Sequence, residues 1–522
     1  MGVNGWLIVA FALYMLMMIG IGAAYSKKNV NSEDYFLGGR SLGGFVAALS
    51  AQASDMSGWL LMGLPGAIFI TGLSGDGWVA LGLLIGTTLN WIIVASPLRR
   101  YTILAGNSVT LPMFFENRFA DKKKILMTVS SVIIAFFFVI YTASAFAAGG
   151  KLFSSVFGMS YLTALTLGAI VILAYTFMGG FKAVCTTDFI QGTLMIIGLL
   201  AVPLVALAVM KNTGLTLDAG LLANEVEDTK SFTNLFYKAT WTKIVSGMAW
   251  GLGYFGMPHI LVRFMAVKDE KEMKKSKVVA ISWVTLSLVF ACVIGVVGRA
   301  FMNYSEIVEA GEERIFIEMI KRIFTQDIHA SFIAGIFLCG ILAAIMSTAD
   351  SQLLVSASAV AEDIYKGVIR KDAKDKTVMM LSRIAIVVIA IVAYIIALDP
   401  DSSVMDLVSD AWAGLGAAFG PLVLMSLFWK RTNLQGAIAG LVSGALTVII
   451  WDYIPCINKL VENADTGVME EAIVTLTKAT GLYSLALGFP ISLICIVIVS
   501  LCTPAPDKAI TDVFDKARKN AE

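Results

Sequence analysis

Apolar residues fall along this 522-residue chain in runs of about 20, each long enough to cross a bilayer as a helix. About 13 runs can be drawn, with approximate limits 5–25, 44–70, 76–97, 125–149, 161–180, 188–210, 240–260, 278–299, 329–358, 380–398, 404–428, 433–455 and 481–502. The pattern predicts an all-α polytopic membrane protein, a single transmembrane unit over 1–522, because the longest polar connections are only about 30 residues. Two runs are interrupted. In the second, Ser54, Asp55, Ser57 and Gly58 fall at the centre, where a carboxylate costs roughly 2.5–3.5 kcal/mol on insertion scales. In the seventh, Gly247, Gly251, Gly253, Gly256 and Pro258 cluster. The two lie five runs apart. A five-helix repeat, 44–210 against 240–428, would begin each half with a broken helix, and five crossings invert the second half. Residues 433–502 then add two spans and 503–522 a tail. The halves share no residue-level identity, so this repeat rests on hydropathy and break position.

Composition sharpens the class. Hydrophobic residues make up 58% and charged residues 15%, with mean hydropathy +0.81, against about 25% charged in soluble domains. A net charge of +1 gives no case for nucleic acid. The six cysteines are scattered without a CxxC, and His259 and His329 are the only histidines, which argues against a disulfide framework or a multi-histidine metal centre. The first run is too long for a signal peptide and reads as an uncleaved span. Met1-Gly2 does not make a myristoylation signal, since Trp6 stands where that motif wants Ser or Thr.

Basic residues orient the spans. With the N-terminus outside, the inner segments hold Lys27, Lys28 and Arg40; Arg99, Arg100, Arg118 and Lys122 to Lys124; Lys182; and Arg263 with Lys268 to Lys277. Lys366 to Arg383, Lys430, Arg431 and the basic residues of the tail follow, about 28 of the 39 in all. The C-terminal tail is then cytoplasmic. The outer connections 211–239, 300–328 and 456–480 are longer and more acidic, and Glu306 to Glu318 read as a solvated amphipathic helix without chemistry.

Four stretches carry candidate chemistry. Unwinding near Ala53–Met56 would free carbonyls, and Ser57 adds a hydroxyl; hard cations take such oxygens. Asp55 would bind the ion or set its field, the plain alternative being an ion pair with a basic residue. In the ninth run, Ala344, Ser347 and Thr348 share one helix face, followed by Asp350 and Ser351; hydroxyls that only bond their own helix are the competing reading. In the seventh, Trp250 and Tyr254 stand at i and i+4, walling a cavity or simply packing. Its GxGxxG spelling is not a dinucleotide site, since no strand precedes it. Asp188 closes the 179–188 connection, lining an exit path or solvated in a loop. Gly436, Gly440 and Gly444 predict a helix-contact stripe. No nucleotide-binding loop and no catalytic triad appears, so the chain does not read as an enzyme, and active transport would need an ion gradient.

At these residues the chain resembles the sodium–solute symporter family, and within it the bacterial sodium/proline branch. The likeness is carried by Tyr35-Phe36-Leu37-Gly38-Gly39-Arg40, by Ala53-Ser54-Asp55-Met56-Ser57-Gly58-Trp59, and by Gly179-Gly180-Phe181-Lys182-Ala183-Val184. It continues in Trp250-Gly251-Leu252-Gly253-Tyr254-Phe255-Gly256-Met257-Pro258-His259 and Ala344-Ile345-Met346-Ser347-Thr348. It implies a leucine-transporter-type inverted repeat and Na⁺-coupled uptake of L-proline across the cell (inner or plasma) membrane, with Na⁺ as coupling ion and no organic cofactor. By position it implies a sodium site of Ala53, Met56 and Ala344 carbonyls with Ser347 and Thr348 hydroxyls, Asp55 acting directly or indirectly. Ser57 and Gly58 would lie between ion and substrate. Tyr141, Trp250, Tyr254 and Pro258 would hold proline, and Arg40 would belong to the inner gate. Asp350 departs from the branch, which lacks an acid after the Ser-Thr pair. In related sialic-acid carriers this neighbourhood helps form a second sodium site, so Asp188, Asp350 and Ser351 become a candidate second cation position. Betaine, pantothenate, sialic acid or sugar as solute, and a sodium-dependent sensor or channel, remain the alternatives.

Overall fold

In a bilayer a chain satisfies its backbone as helices or as a closed barrel, and uninterrupted apolar runs of about 20 residues fit the helix. The computed structural model describes residues 3–26, 32–462 and 469–519, and helices dominate it. Met1, Gly2, Lys27 and Lys28 lie outside the described residues. In chain order the helices used below are α1 (Val3–Ser26), α2 (Gly44–Asp55), α3 (Trp59–Thr71), α4 (Leu73–Leu104), α5 (Leu111–Phe119), α6 (Ile125–Phe157), α7 (Tyr161–Gly179) and α8 (Phe181–Asn212). Then come α9 (Trp241–Ala249), α10 (Pro258–Ala266), α11 (Glu270–Phe301), α12 (Ser331–Ile369), α13 (Asp375–Ile396), α14 (Val404–Phe428), α15 (Leu434–Tyr453), α16 (Leu485–Cys502) and α17 (Lys508–Lys519).

Among the described residues, 10 helices are long and apolar enough to cross a membrane, and the bent pair α2–α3 makes an eleventh. The fifth run forms α7, whose apolar stretch is Tyr161–Ala174. The seventh divides into α9, a 3₁₀ segment Trp250–Gly256, and α10. Helices outrun the hydropathy pattern at several ends. α11 begins eight residues before its apolar run because Asp269 caps it, accepting from Glu272 N at 2.8 Å.

Burial ranks the helices. In α12 and α14, 78% and 83% of the apolar window is buried, against 33% in α1, α13 and α16. The two buried helices therefore form the centre, and the outer ones present Leu13, Leu16, Ile384, Ile391, Ile494 and Ile498 outward, an apolar surface suited to lipid.

Glycine sets how closely the broken seventh run approaches α4. A side chain on Gly251 would overlap the carbonyl of Gly82, and one on Gly86 would overlap the Gly251 backbone. The predicted glycine stripe of α15 is a contact surface: Gly436 and Gly440 face Ser500 and Ile496 of α16, and Gly444 faces the Ala417 backbone of α14. Ser492 Oγ donates to the Gly440 carbonyl at 2.9 Å.

Polar ties close the two ends. On one, Leu42 N donates to the Ala266 carbonyl (3.1 Å) and Lys268 N to the Leu42 carbonyl (3.0 Å). Arg40 donates to the Met265 carbonyl (2.7 Å), the Ser108 carbonyl (2.7 Å) and Asn107 Oδ1 (3.0 Å). At the other end Lys151 Nζ meets Glu313 Oε2 at 2.6 Å and the Ser402 carbonyl at 2.9 Å, and Met405 N donates to Glu313 Oε1 at 3.0 Å. The solvated reading of this acidic stretch is corrected for Glu313, which is buried: the lysine on α6 compensates its charge. In the 456–480 connection, Ile457–Glu462 pairs antiparallel with Met469–Val474, Ile457 opposite Val474. α17 docks through buried Phe514, its ring 6.1 Å from Tyr101.

Gly251→Leu is expected to destabilise the protein by about 1–3 kcal/mol or more through overpacking, whereas Gly20→Ala, with nothing within 4 Å of the added carbon, is expected to leave the melting temperature unchanged or slightly raised. Thermal unfolding in detergent, followed by tryptophan fluorescence, checks both.

Candidate functional site

The sequence around residue 56 cannot continue a helix comfortably. Ser54, Asp55 and Ser57 compete for backbone hydrogen bonds, and Gly58 adds flexibility. α2 stops at Asp55, Met56 takes φ −80° and ψ 74°, and α3 leaves at 63° to α2. Gly58 is required by contact: a Cβ there would stand 2.8 Å from that of Ala148 on α6. Trp59 pins the turn, its indole Nε1 donating to the Asp55 carbonyl at 2.9 Å.

α12 meets the end of α2 with its hydroxyl face. Ser347 Oγ donates to the Ala53 carbonyl at 2.7 Å and lies 3.2 Å from the Ala344 carbonyl; Thr348 Oγ1 lies 3.3 Å from the Ala53 carbonyl. Four of the five expected oxygens are thus brought together, all from buried residues. Met56 is buried at the same break.

Asp55 lies beside this cluster, and its partner is not a basic residue. Its Oδ2 accepts from the Tyr254 hydroxyl at 2.6 Å, and Oδ1 has no hydrogen-bond partner among the described residues. Tyr141 OH reaches the Asp55 carbonyl at 3.5 Å. The ion-pair alternative for Asp55 is thereby corrected: a phenol donor, not a cation, meets it. Ser57 Oγ accepts from Trp59 N at 3.3 Å.

Trp250 and Tyr254 fall in a 3₁₀ segment, where three residues complete a turn, so i and i+4 diverge instead of sharing one face. Trp412 of α14 joins them. It stacks on Trp250 at 6.5 Å, meets Tyr254 edge-on at 5.0 Å, and donates its indole N–H to the Trp250 carbonyl at 2.8 Å. Gly253 makes room for that indole, and Tyr483 stacks on Trp250 at 5.1 Å. Asn90 Nδ2 donates to the Tyr254 carbonyl at 2.9 Å. Pro258 starts α10 and borders a small space with Thr110 and Asp363. The buried His259 ring meets Phe138 and Tyr141 edge-on.

Asp188 is no loop residue. It lies two turns inside α8, fully buried, which corrects the solvated alternative. Arg263, counted by its charge among the inner-loop residues, lies on α10 and is 1% exposed. Its Nη2 reaches Asp188 Oδ2 at 3.2 Å and Ser351 Oγ at 2.6 Å, and its Nε donates to Ser50 Oγ at 3.0 Å. Ser50 Oγ donates to Asp188 Oδ2 at 2.6 Å, and Asp350 Oδ1 stands 3.2 Å from Ser351 Oγ. A guanidinium therefore already lies among the residues expected to hold a second cation. A buried arginine of this kind must be paired. Its signal in the sequence is plain: a lone charge inside Ile260-Leu261-Val262-Arg263-Phe264-Met265.

The chain is 45% identical over 518 residues to the sodium/proline symporter of Haemophilus influenzae, covering 98% of this chain and 97% of that one. It is 42% identical over 514 residues to the osmoregulated proline transporter OpuE of Bacillus subtilis, covering 98% of each. Its fold matches a solved Na⁺-coupled sialic acid symporter in a substrate-bound, outward-open state, with a TM-score of 0.73 at 18% identity over 96% of this chain and 99% of that one. The family model described as the sodium:solute symporter family matches residues 35–444. A broken second span crossed by a hydroxyl-bearing helix, on a chain that matches this model over most of its length, makes the protein a member of the sodium:solute symporter family.

Proposed function

We propose that this chain takes up L-proline together with Na⁺ by alternating access across the cell membrane. The apolar runs give about 13 spans, and the basic-residue distribution gives an external N-terminus and a cytoplasmic tail. The two five-helix units 44–210 and 240–428 are inverted repeats, followed by two further spans over 433–502. The observation that carries the reading is the convergence of Ser347 and Thr348 on the Ala53 carbonyl, at 2.7 and 3.3 Å. Adjacent oxygens around a hard cation with bonds of about 2.4 Å stand about 3.4 Å apart, so the Thr348 contact already has that spacing and the Ser347 hydrogen bond lengthens to admit the ion.

Na⁺ is held by the carbonyls of Ala53, Met56 and Ala344 and the hydroxyls of Ser347 and Thr348. The end of α2 supplies the negative pole of a helix dipole to the ion. Asp55 acts through the field: its Oδ2 is taken by Tyr254, so it couples the ion site to the aromatic segment. The start of α3 offers the positive pole of a helix dipole to the proline carboxylate, near Ser57 and Gly58. Trp250, Tyr254 and Tyr141 flank the ring, with Trp412 packed behind them, and Pro258 ends the segment. Ion and substrate together draw α2 and α12 into one unit, and the bundle rocks inward. The ties of Arg40 and of Leu42 with Ala266 then open as the inner gate.

The energetics suffice with one ion. A charge moving down 100 mV gains about 2.3 kcal/mol, and a tenfold Na⁺ gradient adds about 1.4 kcal/mol. The sum sustains a proline gradient of several hundred-fold. Arg263, paired with Asp188 and bonded to Ser351, supports a single coupled ion, since its guanidinium already occupies part of that cluster and compensates one of its two carboxylates.

Sodium-driven uptake into proteoliposomes, with proline, betaine, pantothenate, sialic acid and sugars as competitors, tests the function: proline alone is expected to compete strongly. Competition by another of these solutes instead would replace the substrate. Ser347→Ala combined with Thr348→Ala is expected to raise the Na⁺ concentration for half-maximal uptake at least tenfold, and an unchanged requirement would remove the ion site. Trp250→Ala should weaken proline affinity more than Na⁺ affinity. Tyr254→Phe, which strips Asp55 of its donor, should weaken both; binding titrations in detergent separate the two. Parallel ²²Na⁺ and proline fluxes should give a 1:1 ratio in the wild type and in Asp350→Ala.

A further inference from the structure

α12 continues past its apolar stretch. After Ser358 it widens into a π-helix, Ala359–Ile369, that carries Glu362 and Asp363 into the protein. Glu362 is paired, its Oε1 3.0 Å from Lys366 Nζ. Asp363 is wholly buried and has no salt-bridge partner among the described residues. Its Oδ1 accepts from Thr110 Oγ1 at 2.5 Å, and its Oδ2 has no hydrogen-bond partner among the described residues.

The surroundings fix the chemistry. Thr110 caps α5: its Oγ1 accepts from Met113 N at 3.1 Å, so its single proton is committed to Asp363. The positive end of the α5 dipole favours a negative charge on Asp363 and at the same time weakens the hold of that carboxylate on a cation, as a release site requires. Ser358 Oγ donates to the Val355 carbonyl at 2.8 Å, which leaves its lone pairs for a ligand. Asp363, Thr110 and Ser358 line a small space of about 10 Å³ with Pro258, Val262 and Val355. That is room for one water or one bare monovalent cation. An anionic oxygen and hydroxyl lone pairs in such a space favour a hard cation.

Its place in the fold gives it a task. Ser358 lies eleven residues beyond Ser347 on α12, about 16 Å along the helix axis, on the side where Arg40 closes the molecule. Pro258 and Val262 belong to α10, so a movement of α10 would open the space. We propose that Asp363, Thr110 and Ser358 form a low-affinity release site that receives the coupling cation on its way to the cytoplasm. This rests on the reading of the protein as a Na⁺ symporter.

The test uses the full-length protein in oriented proteoliposomes, with Na⁺ varied separately on each side. In Asp363→Asn, the cytoplasmic-side Na⁺ concentration that half-inhibits uptake should rise at least fivefold, with the external Na⁺ requirement within twofold of wild type. Ser358→Ala should shift the same quantity in the same direction, and it decides the matter if Asp363→Asn does not reach the membrane. Unchanged cytoplasmic inhibition in the surviving variant would overturn the proposal and leave the space to a structural water. A wild type without external Na⁺ dependence would instead overturn the symport reading, and the release site with it.

Discussion

The contact between Ser347 and the Ala53 carbonyl, 2.7 Å long, is the constraint on which the rest of this structure depends. A helix broken inside a membrane exposes carbonyls that water cannot reach, and such groups must be satisfied by protein or ligand. α2 ends where its carbonyls face the hydroxyls of α12. The break is fixed by Trp59 on the Asp55 carbonyl and by Gly58 against Ala148. Without α12 at that position the break would carry unpaired carbonyls; without the break, Ser347 and Thr348 would have only their own helix to bond.

The second broken segment is bound to the first by a hydrogen bond. Tyr254 donates to Asp55 at 2.6 Å, so a shift of the 3₁₀ segment is felt at the carboxylate beside the carbonyl cluster. Trp412 and Tyr483 hold Trp250 from the far side. An ion and a substrate bound on either side of Asp55 would therefore share one mobile unit. That is the structural requirement for coupling, because each ligand must favour the same state over its alternative.

Much of this is legible in the sequence. The apolar runs mark the helices, and the interruptions at Asp55 and at Gly247 to Pro258 mark both breaks, because a carboxylate or a glycine cluster inside a membrane span is costly unless the helix opens there. Helical spacing alone places Ala344, Ser347 and Thr348 on one face. The failures are equally physical. Charge counting assigns Arg263 to a loop because it ignores a buried partner, Asp188, 75 positions away. Glu313 looks solvated from its acidic neighbours because Lys151 lies on a distant helix. The i, i+4 rule misleads for Trp250 and Tyr254 because the segment is 3₁₀, and it gives no hint of Trp412. Pairings of this kind depend on tertiary contact, which local pattern does not carry.

The proposed position of the coupling ion lies between the end of α2 and the hydroxyl face of α12. The most direct measurement is a structure determined with Tl⁺ in place of Na⁺, located by its anomalous signal. The account predicts one peak within coordination distance of the Ala53 and Ala344 carbonyls, Ser347 Oγ and Thr348 Oγ1. A peak instead among Asp188, Asp350 and Ser351, with Arg263 displaced and the first position vacant, would contradict it.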